Sequence, residues 1–277
     1  MGEMAYDPTI YRGAARHYCN GRPPYSADLA GVLGRELALG LGGRLLDVGC
    51  GPGVLTLELA AHFSEAIGLD PDPDMLAEGA RRARELGVGN ARWIRARAEE
   101  IVGLDLGPFR LVTFGQSFHW TERERVAEAV FDILEPGGAV ALIAHTVEGR
   151  TFPPRLDHPL IPHDEIKQLV ARYLGSNRRA GQGCAPDSTD RYEDALARTR
   201  FGRPRQVFAP GRPDIIRDTD SIVDGYFSMS SSAPHLFGSS RDQFEADLRD
   251  LLQEHSADGL FWDWPGDTEI VVGAKPA

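Results

Sequence analysis

The chain of 277 residues is long enough for one α/β domain with an added cap, or for two small domains. Its hydrophobic share of 42% is ordinary for a globular core, and no run of about 18 apolar residues offers a membrane span. A net charge of −11 argues against a surface built to grip phosphate backbones, so no nucleic-acid partner is expected.

The first 25 residues are aromatic and irregular, with Tyr6, Tyr11, Tyr18 and Tyr25 and a Pro23-Pro24 break. Ser26 is placed to cap a helix from Ala27 to about Leu39, and Gly42-Gly43 then breaks the chain. Arg44–Val48 is short, apolar and bounded by glycines, the pattern of a buried parallel strand. A helix over Val54–His62 and a strand over Ala66–Asp70 follow, and Asp74 is placed to cap a helix ending near Leu86. Arg92–Ala96 and Arg110–Phe114 read as the next strands, and Thr121 as the cap of a helix reaching Leu134. Pro136-Gly137-Gly138 turns into a fifth strand, Ala139–Ile143.

Strands alternating with helices imply a doubly wound sheet, mostly parallel, with its ligand crevice at the strands' C-terminal ends. Beyond His145 the pattern changes. Residues 150–163 are rich in Pro and His and read as a loop over the crevice. Helices are expected near 164–174, 188–200, 219–228 and 240–255, with strands at Gln206–Phe208 and Thr268–Val272. The long stretch between those strands must form structure of its own, a cap. The expected organisation is an N-terminal lid (1–25), a Rossmann-like core (26–149), a cap (150–202) and the end of the core sheet with inserted helices (203–277).

The strongest motif is Leu45-Leu46-Asp47-Val48-Gly49-Cys50-Gly51-Pro52-Gly53, a strand, glycine loop and helix in that order. The glycines fall at 49, 51 and 53, whereas a dinucleotide fingerprint places its third glycine where Val54 stands. Asp47 before the loop suits a ligand with an ammonium group and repels phosphates. Asp70 ends the second strand, about 20 residues on, where an acid commonly meets ribose hydroxyls. Ala98 and Glu99 follow the third strand, with Glu100 as an alternative acid, and Gly115-Gln116-Ser117-Phe118-His119-Trp120 follows the fourth.

Together these motifs resemble class I methyltransferases that use S-adenosylmethionine (SAM) and release S-adenosylhomocysteine. The resemblance covers roughly residues 40–145. It implies a seven-stranded sheet with an antiparallel last strand and a helical cap. It also implies a cofactor site made of Asp47, Gly49, Cys50, Gly51, Gly53, Asp70, Pro71, Met75, Ala98, Glu99, Gly115 and Gln116. Tyr18-x-x-x-Arg22-Pro23-Pro24-Tyr25 and Gln116-x-x-His119-Trp120 are similar to a small-molecule subgroup, the trans-aconitate and ubiquinone-pathway enzymes. In that subgroup the N-terminal segment folds over the cofactor, which implies that Tyr18 and Arg22 enclose SAM.

His119 and Tyr18 are the candidate catalytic residues; Phe118, Tyr11 and His145 are candidates for holding the acceptor, Phe118 with core packing as its other reading. His145, His158 and His163 could each take a proton, and their spacing matches no metal site. Cys19, Cys50 and Cys184 are too scattered for a disulfide framework or a metal site. The N-terminus carries no secretory pattern, so a cytoplasmic location is expected. Lysine occurs only at Lys167 and Lys275, an arginine bias that suits a high-GC bacterial genome. The expected partner is a small-molecule methyl acceptor, and the cap helices leave room for a homodimer. The competing readings are an NAD(P)-dependent oxidoreductase on the same fold and a SAM-binding protein without turnover.

Overall fold

Leu45 and Leu46 are consecutive, and a strand sends consecutive side chains to opposite faces. Both are fully buried, so this strand is covered on both sides, as parallel strands are. The computed structural model describes residues 7–37, 42–146, 157–176, 179–180, 183–184, 191–212, 215–263 and 266–277. Tyr6 and residues 150–156 of the Pro- and His-rich stretch lie outside them.

In chain order the elements are α1 (Ala15–Gly21), α2 (Leu29–Glu36), β1 (Arg44–Val48), α3 (Val54–Leu59), β2 (Glu65–Asp70), α4 (Pro73–Leu86) and β3 (Ala91–Arg95). Next come β4 (Phe109–Gly115), α5 (Arg123–Ile133), β5 (Leu134–His145), α6 (His163–Leu174), β6 (Arg179–Ala180) and β7 (Gly183–Cys184). Last come α7 (Tyr192–Ala197), β8 (Arg205–Ala209), β9 (Ile215–Asp218), α8 (Thr219–Phe227), α9 (Arg241–His255), β10 (Leu260–Asp263) and β11 (Thr268–Ala274). They fall into two units.

The core unit comprises Tyr25–Thr146, Ser188–Pro210 and Asp267–Ala277. Its seven-stranded sheet has the order β3-β2-β1-β4-β5-β11-β8. The first five strands pair in parallel, and β11 is antiparallel to both β5 and β8. This is the doubly wound, mostly parallel sheet expected. Alternate strand residues build two cores. Leu46, Ile67, Val112 and Leu142 pack with Val126 and Val130 of α5, and Leu45, Ala66, Leu111 and Ile143 pack with Leu29 and Leu33 of α2.

Three caps differ from expectation. Asp72, not Asp74, caps α4: its side chain accepts the Asp74 and Met75 N–H groups, and Pro73 takes the first helical position. Thr121 instead donates its hydroxyl to the Phe118 carbonyl at 2.9 Å, and α5 starts at Arg123. Ser26 accepts the Asp28 N–H at 3.2 Å but also donates to the Pro210 carbonyl at 2.6 Å, anchoring the chain three residues before α2 begins. The stretch assigned to a cap at 150–202 divides: Ala195, Leu196 and Phe201 bury themselves in the core beside α5. Their apolar surface joins the sheet's own core, which periodicity alone does not reveal.

The second unit comprises Met1–Pro24, Val147–Asp187 and Gly211–Gly266. α6, α8 and α9 enclose Phe227, Phe237, Phe244, Leu248 and Phe261. β9 and β10 form a small antiparallel sheet that the sequence did not announce, as is the two-residue pair β6 and β7. The N-terminal stretch read as irregular contains α1. His17 Nδ1 lies 2.6 Å from Asp224 Oδ1, which ties α1 to α8. Among the described residues no helix is long and apolar enough to cross a membrane.

Candidate active site

β1 and β4 are neighbours although the chain runs outward from β1 to β3 before returning. Such a reversal opens a crevice at the strands' C-terminal ends. The loops after β1, β2, β3 and β4 all leave that edge.

The loop after β1 needs glycine for three separate reasons. Gly49, Gly51 and Gly53 have φ of 64°, 54° and 74°, a left-handed conformation that burdens any side chain. A Cβ on Gly49 would lie 2.5 Å from Ser117 Cβ, and one on Gly53 would lie 2.8 Å from Trp93 Cζ3. At Gly51 no atom lies within 4 Å of that position, so its space is open to a ligand.

Backbone hydrogen bonds hold the loop to β2. Gly49 and Cys50 donate to the Leu69 carbonyl at 2.7 and 3.1 Å. Gly51 N–H donates to Asp70 Oδ2 at 2.8 Å, and Asp72 N–H to Oδ1 at 2.9 Å. Asp70 is only 8% exposed, and burial pushes its carboxyl up to about 6. Each oxygen has one such backbone donor, and a carboxylate oxygen can accept a second bond.

Asp47 is 1% exposed and is also pushed up to about 6 by burial. Its Oδ2 accepts from Thr56 N–H and hydroxyl at 3.0 and 2.7 Å, and its Oδ1 from the Thr113 hydroxyl at 2.8 Å. These bonds tie β1 to α3 and β4 beneath the loop.

The loop after β4 is locked onto the first. Ser117 Oγ donates to the Val48 carbonyl at 2.6 Å, and Gln116 takes a positive φ of 50° while its N–H donates to Ile143 at 2.9 Å. Phe118 is 1% exposed, edge-on to Phe114 and Tyr192, so it is a core residue and not an acceptor contact. His119 Nδ1 lies 2.9 Å from the hydroxyl of Tyr192 on α7.

After β3, Ala98 is buried and the two acids divide their work. Glu100 accepts the Arg97 N–H at 2.7 Å in a capping box, while Glu99 accepts the Glu122 N–H at 3.1 Å. Cys50 and Met75 are buried, burial pushes the Cys50 thiol up, and the Pro71 carbonyl accepts from Arg95 at 3.3 Å. His145 stacks on Tyr25 with ring centres 4.9 Å apart, and the Tyr25 hydroxyl borders Gly115. Tyr11, Tyr18 and Arg22 belong to the second unit, where the Arg22 guanidinium lies 5.0 Å over the Tyr18 ring and donates to the Ser228 carbonyl at 2.9 Å.

Residues 45–138 match a family model described as a methyltransferase domain. Residues 45–138 of this chain are a methyltransferase domain of the SAM-dependent type.

The chain is 28% identical over 165 residues to the probable S-adenosylmethionine-dependent methyltransferase CRG1 of Saccharomyces cerevisiae, covering 59% of this chain and 56% of that one. It is 31% identical over 107 residues to the ubiquinone biosynthesis O-methyltransferase of Acinetobacter baumannii, covering 38% of this chain and 45% of that one. The chain thus spans about half the length of these curated relatives. In fold it is similar to the YcgJ protein of Bacillus subtilis, with a TM-score of 0.51 at 16% identity over 90% of this chain and 98% of that one.

The methyltransferase core fits its cofactor on its own evidence. The open space at Gly51 admits a ligand against the backbone, and Asp70 offers acceptor oxygens for hydroxyls. Two buried carboxylates, Asp47 and Asp70, favour a cationic ligand over a pyrophosphate. Three residues of this core that the sequence did not single out are Ser117, which locks the two loops, Trp93, which fills the space beside Gly53, and Tyr192, which holds His119. No motif announces them, because each acts through a contact distant in sequence.

Proposed function

We propose that this protein transfers a methyl group from SAM to an oxygen, nitrogen or carbon nucleophile of a small molecule. The observation that carries the reading is the pairing of the open Gly51 with Asp70, bonded to each other at 2.8 Å on the crevice edge. When bound, SAM supplies a methyl group already activated on a sulfonium, so orientation and exclusion of water are the protein's main work. Gly49, Gly51 and Gly53 let the backbone approach the cofactor. Asp70 accepts the ribose hydroxyls, and Asp47 keeps the loop in register through Thr56 and Thr113. Ala98, Glu99, Pro71 and Met75 are proposed to line the adenine side, and Gly115 and Gln116 the methionine side. Tyr18 and Arg22 are proposed cofactor residues, and Tyr11 and His145 acceptor residues.

A small acceptor is supported by the relative named for ubiquinone biosynthesis. The arginine bias fits a bacterial genome, and tailoring of a natural product in the cytoplasm is the role we propose. Isothermal titration with SAM and S-adenosylhomocysteine, on wild type and Asp70→Asn, tests the cofactor. A screen of acceptors with methyl-labelled SAM tests the rest. Label appearing only in protein or RNA overturns the small-molecule reading, and binding without turnover on any acceptor overturns catalysis.

A further inference from the structure

Helix α1, which carries Tyr18 and ends just before Arg22, is 7 residues long. That is short of the roughly 12–15 residues an isolated helix needs in water, so its order comes from what it packs on. Within the second unit it packs on α8. The crossing is made by two glycines. A Cβ on Gly21 would collide with the Gly225 nitrogen, and one on Gly225 would lie 2.9 Å from the Gly21 carbonyl oxygen. The two backbones meet where no side chain fits.

Around that crossing the polar groups of α1 are taken up by residues about two hundred positions later. Asp224 gathers two donors, His17 Nδ1 at 2.6 Å and Asn20 Nδ2 at 2.7 Å, one on each carboxylate oxygen. Arg16 Nε donates to His17 Nε2 at 3.0 Å, so that nitrogen accepts and the ring proton on Nδ1 faces Asp224. Arg217 donates to the Gly21 carbonyl at 2.7 Å, satisfying the end of the helix. Arg22 donates to the carbonyl of Ser228, just past α8, at 2.9 Å.

We infer that Asp224 is a positioning residue: it seats α1 on α8, so that the second unit presents Tyr18 and Arg22 as fixed groups and not on a strap that opens by itself. That these two residues touch the cofactor rests on the methyl-transfer reading; the seating of α1 does not. Groups held in place before a ligand arrives lose less entropy on binding, so the seating tightens the hold on SAM.

The test is hydrogen exchange of the full chain, read peptide by peptide, in wild type, Asp224→Ala, Gly225→Ala and Asn20→Ala. Wild-type amides of α1 should be protected together with those of α8. Asp224→Ala strands two donors and Gly225→Ala wedges a methyl group between the backbones. Each should speed α1 exchange at least about tenfold while the strands of the core unit keep their protection. Asn20 is exposed, so Asn20→Ala folds and removes one bond alone. Alanine favours helix, so an exchange about threefold faster there reports the lost bond. SAM titration on the same samples should show affinity about fivefold weaker in Asp224→Ala. Wild-type α1 amides that exchange as an unstructured peptide does overturn the seating, as do variants that exchange like wild type. Unchanged SAM affinity in a variant whose α1 is freed overturns the positioning role. A wild type protected in α1 that binds no SAM sinks the methyl-transfer reading and leaves the seating standing.

Discussion

The Trp93 ring occupies the space that a Cβ on Gly53 would need. The same ring lies 2.7 Å from the corresponding positions on Gly68 and Gly79, so three glycines from β2, α4 and the glycine loop make room for one indole. Gly53→Ala therefore combines a left-handed backbone with overpacking against an aromatic ring. The expected loss is about 3 kcal/mol, from roughly 1–2 for the backbone and 1–3 for the overlap. Urea unfolding measures it.

Gly51→Ala separates structure from binding. Its φ of 54° is as demanding, but no atom lies within 4 Å of the added Cβ. Stability should fall by only about 1–2 kcal/mol, the backbone cost alone. SAM affinity should fall by more than about tenfold, because the methyl group enters the space proposed for the ligand. Titration calorimetry beside the unfolding curve checks both, and unchanged affinity would move the cofactor away from this loop.

Asp70→Asn keeps one oxygen acceptor and replaces the other with a donor that faces either the Gly51 or the Asp72 N–H. SAM binding should weaken at least about tenfold, or about 1.4 kcal/mol. Weakening of the same size for S-adenosylhomocysteine would place the loss at the part of the cofactor that both share.

Buried carboxylates give the core a pH signature. Asp47 is raised from 3.8 to about 6 in the folded chain, so the folded state holds that proton more tightly than the unfolded one. Its contribution to stability is greatest at low pH and declines as pH rises from about 4 to about 6, then stays flat. Asp47→Asn removes this decline. Stability measured by urea unfolding at about pH 4.5 and about pH 7 should improve for the variant relative to wild type at the higher pH, by on the order of 1–2 kcal/mol. A difference between variant and wild type that is the same at both pH values would show that Asp47 titrates normally.

Ser26 and Thr268 join the start of the core unit to its last strand. The buried Ser26 N–H donates to Thr268 Oγ1 at 2.8 Å. Thr268→Val keeps the shape and strands that donor, at a cost of about 1–3 kcal/mol, whereas Thr268→Ser restores the acceptor and should cost about 1 kcal/mol or less. Thermal unfolding of the three proteins gives the comparison.

The sequence by itself determined the sheet and the nature of its ligand crevice. Leu45–Leu46, Ala66–Leu69 and Val140–Ile143 place apolar residues on both faces, which a strand between two helical layers satisfies. The loop at Gly49–Gly53 and the acid at Asp70 follow from local spacing, because strand, turn and helix are contiguous in the chain. Contacts between residues far apart in the chain left no such trace. Phe118 faces the core because Tyr192 and Phe114 close around it, and Ala195 and Leu196 join that core although they stand in a stretch that reads as a cap. Asp47 reads as a ligand group in one dimension, yet in three its hydrogen bonds run to Thr56 and Thr113, nine and sixty-six residues away. Periodicity and spacing reveal which face of an element is apolar and where the chain must turn. Which distant side chain arrives at that face, and so which hydrogen bond a buried acid or imidazole makes, is decided only when the helices have packed.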